Sequence, residues 1–117
     1  NLWVIQADVT DIWQLCAVEN RIIDKHYLLY PNPWPKKKHY QRRWHGHPIF
    51  PTLLSISRQI EIRTNWLNYL QECNLAANTF HRHTQSKILS PKYQALTHFE
   101  KKYFNHQTPC YQLNIYY

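Results

Sequence analysis

The densest chemistry in this chain lies in Tyr30–Arg43, read YPNPWPKKKHYQRR. Asn32 offers an amide and Trp34 an indole. Lys36, Lys37, Lys38, His39, Arg42 and Arg43 then form a cationic block. Paired arginines clamp phosphates through two parallel N–H bonds, and lysines supply point charges. Trp34 reads either as a stacking surface for a base or as a plug beneath the loop. Pro31 and Pro33 exclude helix and withhold ladder N–H groups, and Pro33 holds Asn32 extended. The apolar run Tyr27–Tyr30 ahead of them ends a strand. A stiff loop beyond the carboxyl end of a strand is where open α/β sheets bind ligands.

Two later stretches add to this one. Ile62-Arg63-Thr64-Asn65-Trp66 ends a strand, and Thr97-His98-Phe99-Glu100 places a hydroxyl and a carboxylate three residues apart. Together with Pro31-Asn32-Pro33-Trp34-Pro35-Lys36-Lys37-Lys38-His39 and Arg42-Arg43, they resemble in order the motifs of the tRNA (guanine-N7-)-methyltransferase family. That family reads proline-aspartate-proline-tryptophan, threonine-aspartate-tryptophan and threonine-any-phenylalanine-glutamate at these places. The match covers the C-terminal two-thirds of such an enzyme. It implies S-adenosylmethionine as cofactor, RNA and above all tRNA as partner, and transfer of a methyl group to guanine N-7. It implies Asn32, His39, Arg42 and Asn65 as the catalytic set. Substrate binding falls to Trp34, Lys36, Lys38, Arg43, Thr97 and Glu100. Cofactor binding falls to Ala7, Asp8, Pro31 and Asn32, with Ala7-Asp8 beside the adenine. Asp8 also reads simply as a helix cap, and Glu100 as a salt-bridge partner of Lys101 or Lys102.

Guanine N-7 carries an in-plane lone pair and loses no proton on methylation. The site therefore needs alignment and tolerance of positive charge rather than a strong base. Both of the family's aspartate positions are amides here, Asn32 and Asn65. An amide accepts and donates but supplies no negative charge. A matched pair of changes suggests a retained but retargeted site, so a non-catalytic or retargeted nucleic-acid-binding relative is the second reading.

The elements that must position these groups follow the apolar pattern. Asn1–Asp8 is rich in strand formers and reads as a strand, with Thr10 or Asp11 capping a short helix to about Val18. Arg21–Tyr30 reads as a second strand and residues 31–47 as loop. His47-Pro48 opens a helix with Phe50, Leu53 and Leu54 inward. Gln59–Thr64 sets Ile60 and Ile62 against Glu61 and Arg63 and reads as a third strand. Asn65 caps a long helix with a stripe of Trp66, Tyr69, Leu70, Cys73, Ala77 and Phe80. His81–Pro91 reads as loop, Tyr93–Thr97 as a helical turn, and Tyr111–Tyr117 as a final strand. The whole is an α/β, Rossmann-like class I methyltransferase sheet. Three strands are parallel and the last is parallel or antiparallel.

Composition bounds the function. A chain of 117 residues makes one domain. It has one glycine, where average usage of roughly 7% gives about eight. A Rossmann-like cofactor turn needs several, so the sheet is expected to be incomplete on its N-terminal side. The absence of Met, including at position 1, fits a partial chain. The net charge is +7, and the window from Lys25 to Ile60 holds Lys25, Lys36–Lys38, Arg42, Arg43 and Arg58 with no acid. That asymmetry points to a polyanion. The cations sit in a Pro-rich loop, which argues against a small helical DNA reader. Cys16, Cys73 and Cys110 show no CxxC spacing and read as reduced thiols of a cytoplasmic protein. His39, His45 and His47, like His81 and His83, lack a zinc frame, so no metal is expected. No Ser-His-Asp or Cys-His arrangement is visible in the spacing. There is no signal segment or membrane-length apolar run.

Overall fold

The computed structural model describes residues 1–90 and 94–117. Four helices and, among the described residues, one four-stranded sheet follow in the order α1 (Val9–Val18), β1 (Ile23–Leu29), α2 (Phe50–Ser55), β2 (Ser57–Thr64), α3 (Leu67–Thr79), β3 (His83–Leu89), α4 (His98–Asn105) and β4 (Cys110–Tyr116). The strand order is β1-β2-β4-β3. β1 runs parallel to β2, and β4 runs antiparallel to both β2 and β3. This is the expected α/β Rossmann-like architecture with a reversed last strand. The core packs Trp13 of α1, Phe50 and Leu53 of α2 and Tyr69, Cys73 and Ala77 of α3 with Ile60, Ile62, Leu113 and Ile115 of the sheet.

Several elements differ from the pattern. Residues 1–7 adopt no regular structure, and Leu2, Trp3, Val4 and Ile5 stand exposed. Strand-forming residues make a strand only where a neighbouring ladder accepts them, and no described strand pairs with this segment. The cap of α1 is Asp8, whose carboxylate accepts from Thr10 N at 3.0 Å and Thr10 Oγ1 at 2.7 Å. Asn65 does not cap α3. Trp66 holds the cap position, and its N–H donates to Thr64 Oγ1 at 3.1 Å. The α3 stripe is buried at Tyr69, Leu70, Cys73 and Ala77, but Trp66 and Phe80 at its ends are exposed.

The segment expected as loop after α3 contains β3. Its sequence HTQSKIL is mostly exposed and polar, so burial leaves no alternation to read. An edge strand is made instead by its ladder, here seven pairs from His83↔Tyr116 to Leu89↔Cys110. The expected helical turn at Tyr93–Thr97 lies partly outside the described residues, and residues 94–97 are not helical. The helix begins after Thr97, whose Oγ1 accepts from Glu100 N at 3.0 Å. Thr97-x-x-Glu100 is thus a helix-start pattern.

The stretch from residue 31 to 47 is folded into two 3₁₀ turns, Lys37–Arg42 and Trp44–Gly46. Gly46 lies against Tyr40: a Cβ there would sit 2.6 Å from both Tyr40 Cε1 and the Tyr40 carbonyl oxygen. The carbonyl belongs to the backbone and cannot swing aside as a side-chain tip would. Gly46→Ala is therefore expected to destabilise the full-length protein by about 1–3 kcal/mol, the range for overpacking. Urea denaturation reads this, and an unchanged midpoint would show that the two turns separate freely.

Candidate functional site

The sheet brings the ends of β1 and β2 side by side. Leu29 pairs with Arg63, and Tyr30 N donates to Arg63 O at 2.8 Å. The chain leaves both parallel strands at this edge, so Asn32 and Asn65 follow adjacent carboxyl ends. This is the place expected for a ligand in an open α/β sheet.

Behind that edge lies a buried ionic chain. Arg63 Nε donates to Glu61 Oε2 at 2.8 Å, and Arg63 Nη1 donates to Glu100 Oε1 at 2.7 Å. Lys25 Nζ reaches Glu61 Oε1 at 3.2 Å. Glu100 is 0% exposed. It also accepts from Leu96 N at 2.9 Å and from the Tyr30 hydroxyl. Burial, then the Glu100 bond, raises the Tyr30 pKa far above the usual phenol range, so the hydroxyl stays protonated and donates. Burial alone would raise the Glu61 pKa, but Arg63 and Lys25 outweigh it and hold that carboxyl below its usual value. Glu100 therefore bonds neither Lys101 nor Lys102, and it faces Arg63 and Tyr30 rather than the surface. Thr97 caps the helix that delivers it.

The loop itself is bent at both ends of Pro31–Pro33. Tyr30 has φ 52° and Trp34 φ 42°, the left-handed region that non-glycine residues avoid. Trp34 N donates to Asn32 Oδ1 at 3.2 Å, closing an Asx turn. Because the partner is an N–H, the Asn32 oxygen is the acceptor, and its Nδ2 carries the donors. Arg43 Nε donates to Trp34 O at 3.0 Å.

Asp8, Thr10, Asn32, Trp34, Arg42, Trp44 and His47 line one open cleft of about 420 Å³. The fold thus gathers Asp8, Asn32, Trp34 and Arg42 from the expected site. Trp34 is half-buried and lies outside both buried clusters. Its ring meets His39 edge-on at 5.4 Å and the Arg42 guanidinium at 4.9 Å. The plug reading of Trp34 therefore does not hold; the indole is a wall of the cleft. Thr10 bonds hold the Asp8 carboxyl below the usual range, so it is ionised at neutral pH. Ala7 is exposed beside it, Pro31 is half-buried, and Lys36 and Lys38 are exposed on the loop. A second cavity of about 180 Å³ lies between the loop and α3, lined by Pro33, Pro35, Arg43, Trp66, Asn68 and Tyr69. Asn65 is half-buried and lines neither.

One cluster was invisible in the spacing. Buried His45 has Nδ1 3.0 Å from Cys73 Sγ and Nε2 3.2 Å from Glu72 Oε1. The same Glu72 oxygen accepts from Arg43 Nη1 at 2.7 Å. A thiol, an imidazole and a carboxylate stand in line, yet Cys73 is 1% exposed. Burial pushes its thiol well above the usual range, the setting of a structural cysteine. The cluster instead pins the loop to α3. The charge count carried a signal for it: Glu72 is one of only seven acids in a chain of net charge +7. Among the described residues no group of three or more His, Cys, Asp or Glu is arranged to hold a metal ion, and no helix is long and apolar enough to cross a membrane.

The ionic chain fixes a stability signature in the full-length protein. Arg63→Met leaves buried Glu100 without its cation, while Glu61 keeps Lys25, and should cost about 3–5 kcal/mol in urea denaturation. With the Glu61 pKa depressed in the fold, its contribution is present above the unfolded value near 4.5 and is lost as pH falls through the lower folded value. Glu61→Gln should flatten that acid limb. A parent denaturation midpoint that does not fall as pH is lowered below about 4.5 would contradict the pairing.

Comparison with known proteins agrees with this layout. Residues 1–113 match a family model described as "Putative methyltransferase". The chain is 30% identical over 112 residues to a tRNA (guanine-N(7)-)-methyltransferase of Methylobacillus flagellatus, covering 87% of this chain and 45% of the relative. It is 32% identical over 110 residues to one of Histophilus somni, covering 87% and 43%, and 28% identical over 109 residues to one of Nitrosospira multiformis, covering 87% and 47%. The chain spans about half the length of these curated relatives. With the family match running over nearly the whole chain and its strand-end loop in place, this chain belongs to that methyltransferase family.

Proposed function

We propose that the protein carrying this chain transfers a methyl group from S-adenosylmethionine to guanine N-7 of tRNA, in the cytoplasm. The observation that carries the reading is the cleft in which Asp8, Asn32, Trp34 and Arg42 meet at the carboxyl end of β1. The relatives' names support the substrate.

The residues present fit the adenosine end of the cofactor. A cleft of about 420 Å³ lies within the range of roughly 300–1,000 Å³ common for small-ligand sites. Ionised Asp8 offers an acceptor for an exocyclic amine or a ribose hydroxyl. Gly46 packs on Tyr40 and forms no cradle, so the methionine end falls to the further length that the relatives possess. When bound, the cofactor supplies an electrophilic methyl on a sulfonium. The chain's part is to bring a base edge in line with it. Trp34, stiffened by Arg42 and His39, gives a stacking wall, while Lys36, Lys38 and Arg42 neutralise phosphates. Asn32 Nδ2 donates to an acceptor edge such as guanine O6. No side chain has to remove a proton from N-7.

One observation favours the second reading, a retargeted or non-catalytic relative. The Asn32 oxygen is committed to Trp34 N, so this position presents donors where an aspartate would present charge. It cannot offset a cationic product. The two readings separate by experiment. Calorimetry of the full-length protein should show S-adenosylmethionine binding, and absence of heat at saturating cofactor would favour the binding relative. Asn32→Asp should raise guanine N-7 methylation of tRNA about tenfold or more by restoring a charge at the cleft. An unchanged product yield would contradict the role given to this amide.

A further inference from the structure

The two arginines of the loop are adjacent in sequence, yet their surroundings differ in kind. Arg42 is exposed, lies 4.9 Å over the Trp34 ring and lines the cleft. The Arg43 side chain is only 12% exposed. Its Nη1 is spent on Glu72 at 2.7 Å and its Nε on the Trp34 carbonyl at 3.0 Å, and its guanidinium lies 5.4 Å from the Tyr40 ring. To hold a phosphate, Arg43 would have to leave a carboxylate that sits against it and repels the incoming anion. Trp34 meanwhile has φ 42°, a conformation that returns to an ordinary region unless something holds its carbonyl.

We infer that Arg43 and Glu72 form a positioning bracket for Trp34, while Arg42 alone of the pair faces RNA. This rests on the reading of the cleft as an RNA-methylating site. Glu72 is the fixed end: it rides on α3, and its Oε1 also takes His45 Nε2 at 3.2 Å, so the residue joining the two 3₁₀ turns and the second turn itself hang on one carboxylate. The bracket transmits the position of α3 to the indole that stacks on the substrate.

The test uses the full-length protein with bulk tRNA and varied NaCl. Arg42→Gln should reduce the slope of log affinity against log salt by about 0.9, the loss of one phosphate contact. Arg43→Gln should leave that slope unchanged, yet lower methylation or tRNA affinity about tenfold through the lost charged hydrogen bonds. Arg43→Lys keeps the charge but not the fork, and should be no better than Arg43→Gln. Glu72→Gln should reproduce the defect, and the double variant should add little to it. A slope lowered by about 0.9 in Arg43→Gln, restored by Arg43→Lys, with Glu72→Gln neutral, would overturn the bracket. If the parent binds no tRNA, the methyltransferase reading fails and the bracket is judged by NMR. The Trp34 indole N–H signal, assigned through its loss in Trp34→Phe, must then shift in Glu72→Gln; an unmoved signal overturns it.

Discussion

A guanidinium buried between two carboxylates is the constraint on which the site's geometry rests. Arg63 lies next to the last residue of β2 and is 9% exposed. A charge so placed is tolerable only if paired and hydrogen-bonded. Glu61 meets it from the same strand and Glu100 from α4. Glu100 then accepts the Tyr30 hydroxyl, at the residue where β1 gives way to the loop. One ionic chain therefore ties two parallel strands, a distant helix and the loop's first residue. No one of these can shift without exposing or stranding a buried charge.

The loop needs such an anchor because its backbone is unfavourable on its own. Tyr30 and Trp34 both take positive φ, each at about 1–2 kcal/mol for a side chain with a Cβ. Pro31 and Pro33 narrow the alternatives but do not choose this bend. The choice is made by bonds at the two ends: Tyr30 to Glu100, and the Trp34 carbonyl to Arg43, itself held by Glu72. Strain held by the surroundings at a ligand cleft is what a preorganised site requires. The same logic gives Thr97 and Glu100 a structural share in the site. They start α4 and hold the loop from beneath through Tyr30 and Arg63.

What could be read in the sequence follows from where burial writes a pattern. Ile60 and Ile62, Tyr69 with Cys73 and Ala77, and Leu113 with Ile115 repeat at strand or helix spacing because they face the core. Those elements and the α/β class were legible. β3 was not, because an edge strand exposed on HTQSKIL is defined by its partner β4 rather than by burial. The N-terminal LWVI erred the other way, since strand propensity does not supply a neighbour. Glu61 and Arg63 looked like an outward polar face, but their mutual charge lets both be buried. Within the site, the gathering of Asp8, Asn32, Trp34 and Arg42 was legible from strand-end position and motif order. The division between Arg42 and Arg43 was not, because it depends on Glu72 reaching the loop from α3.

We propose that residues 30–47, locked from below by the ionic chain, form with Asp8 the surface that meets the cofactor and RNA. Hydrogen–deuterium exchange of the full-length protein, with and without S-adenosylmethionine and tRNA, tests it most directly. Added protection is expected in residues 30–47 and around Asp8–Thr10, with β3 unaffected. Protection confined to other segments, with exchange in the loop unchanged by either ligand, would contradict it.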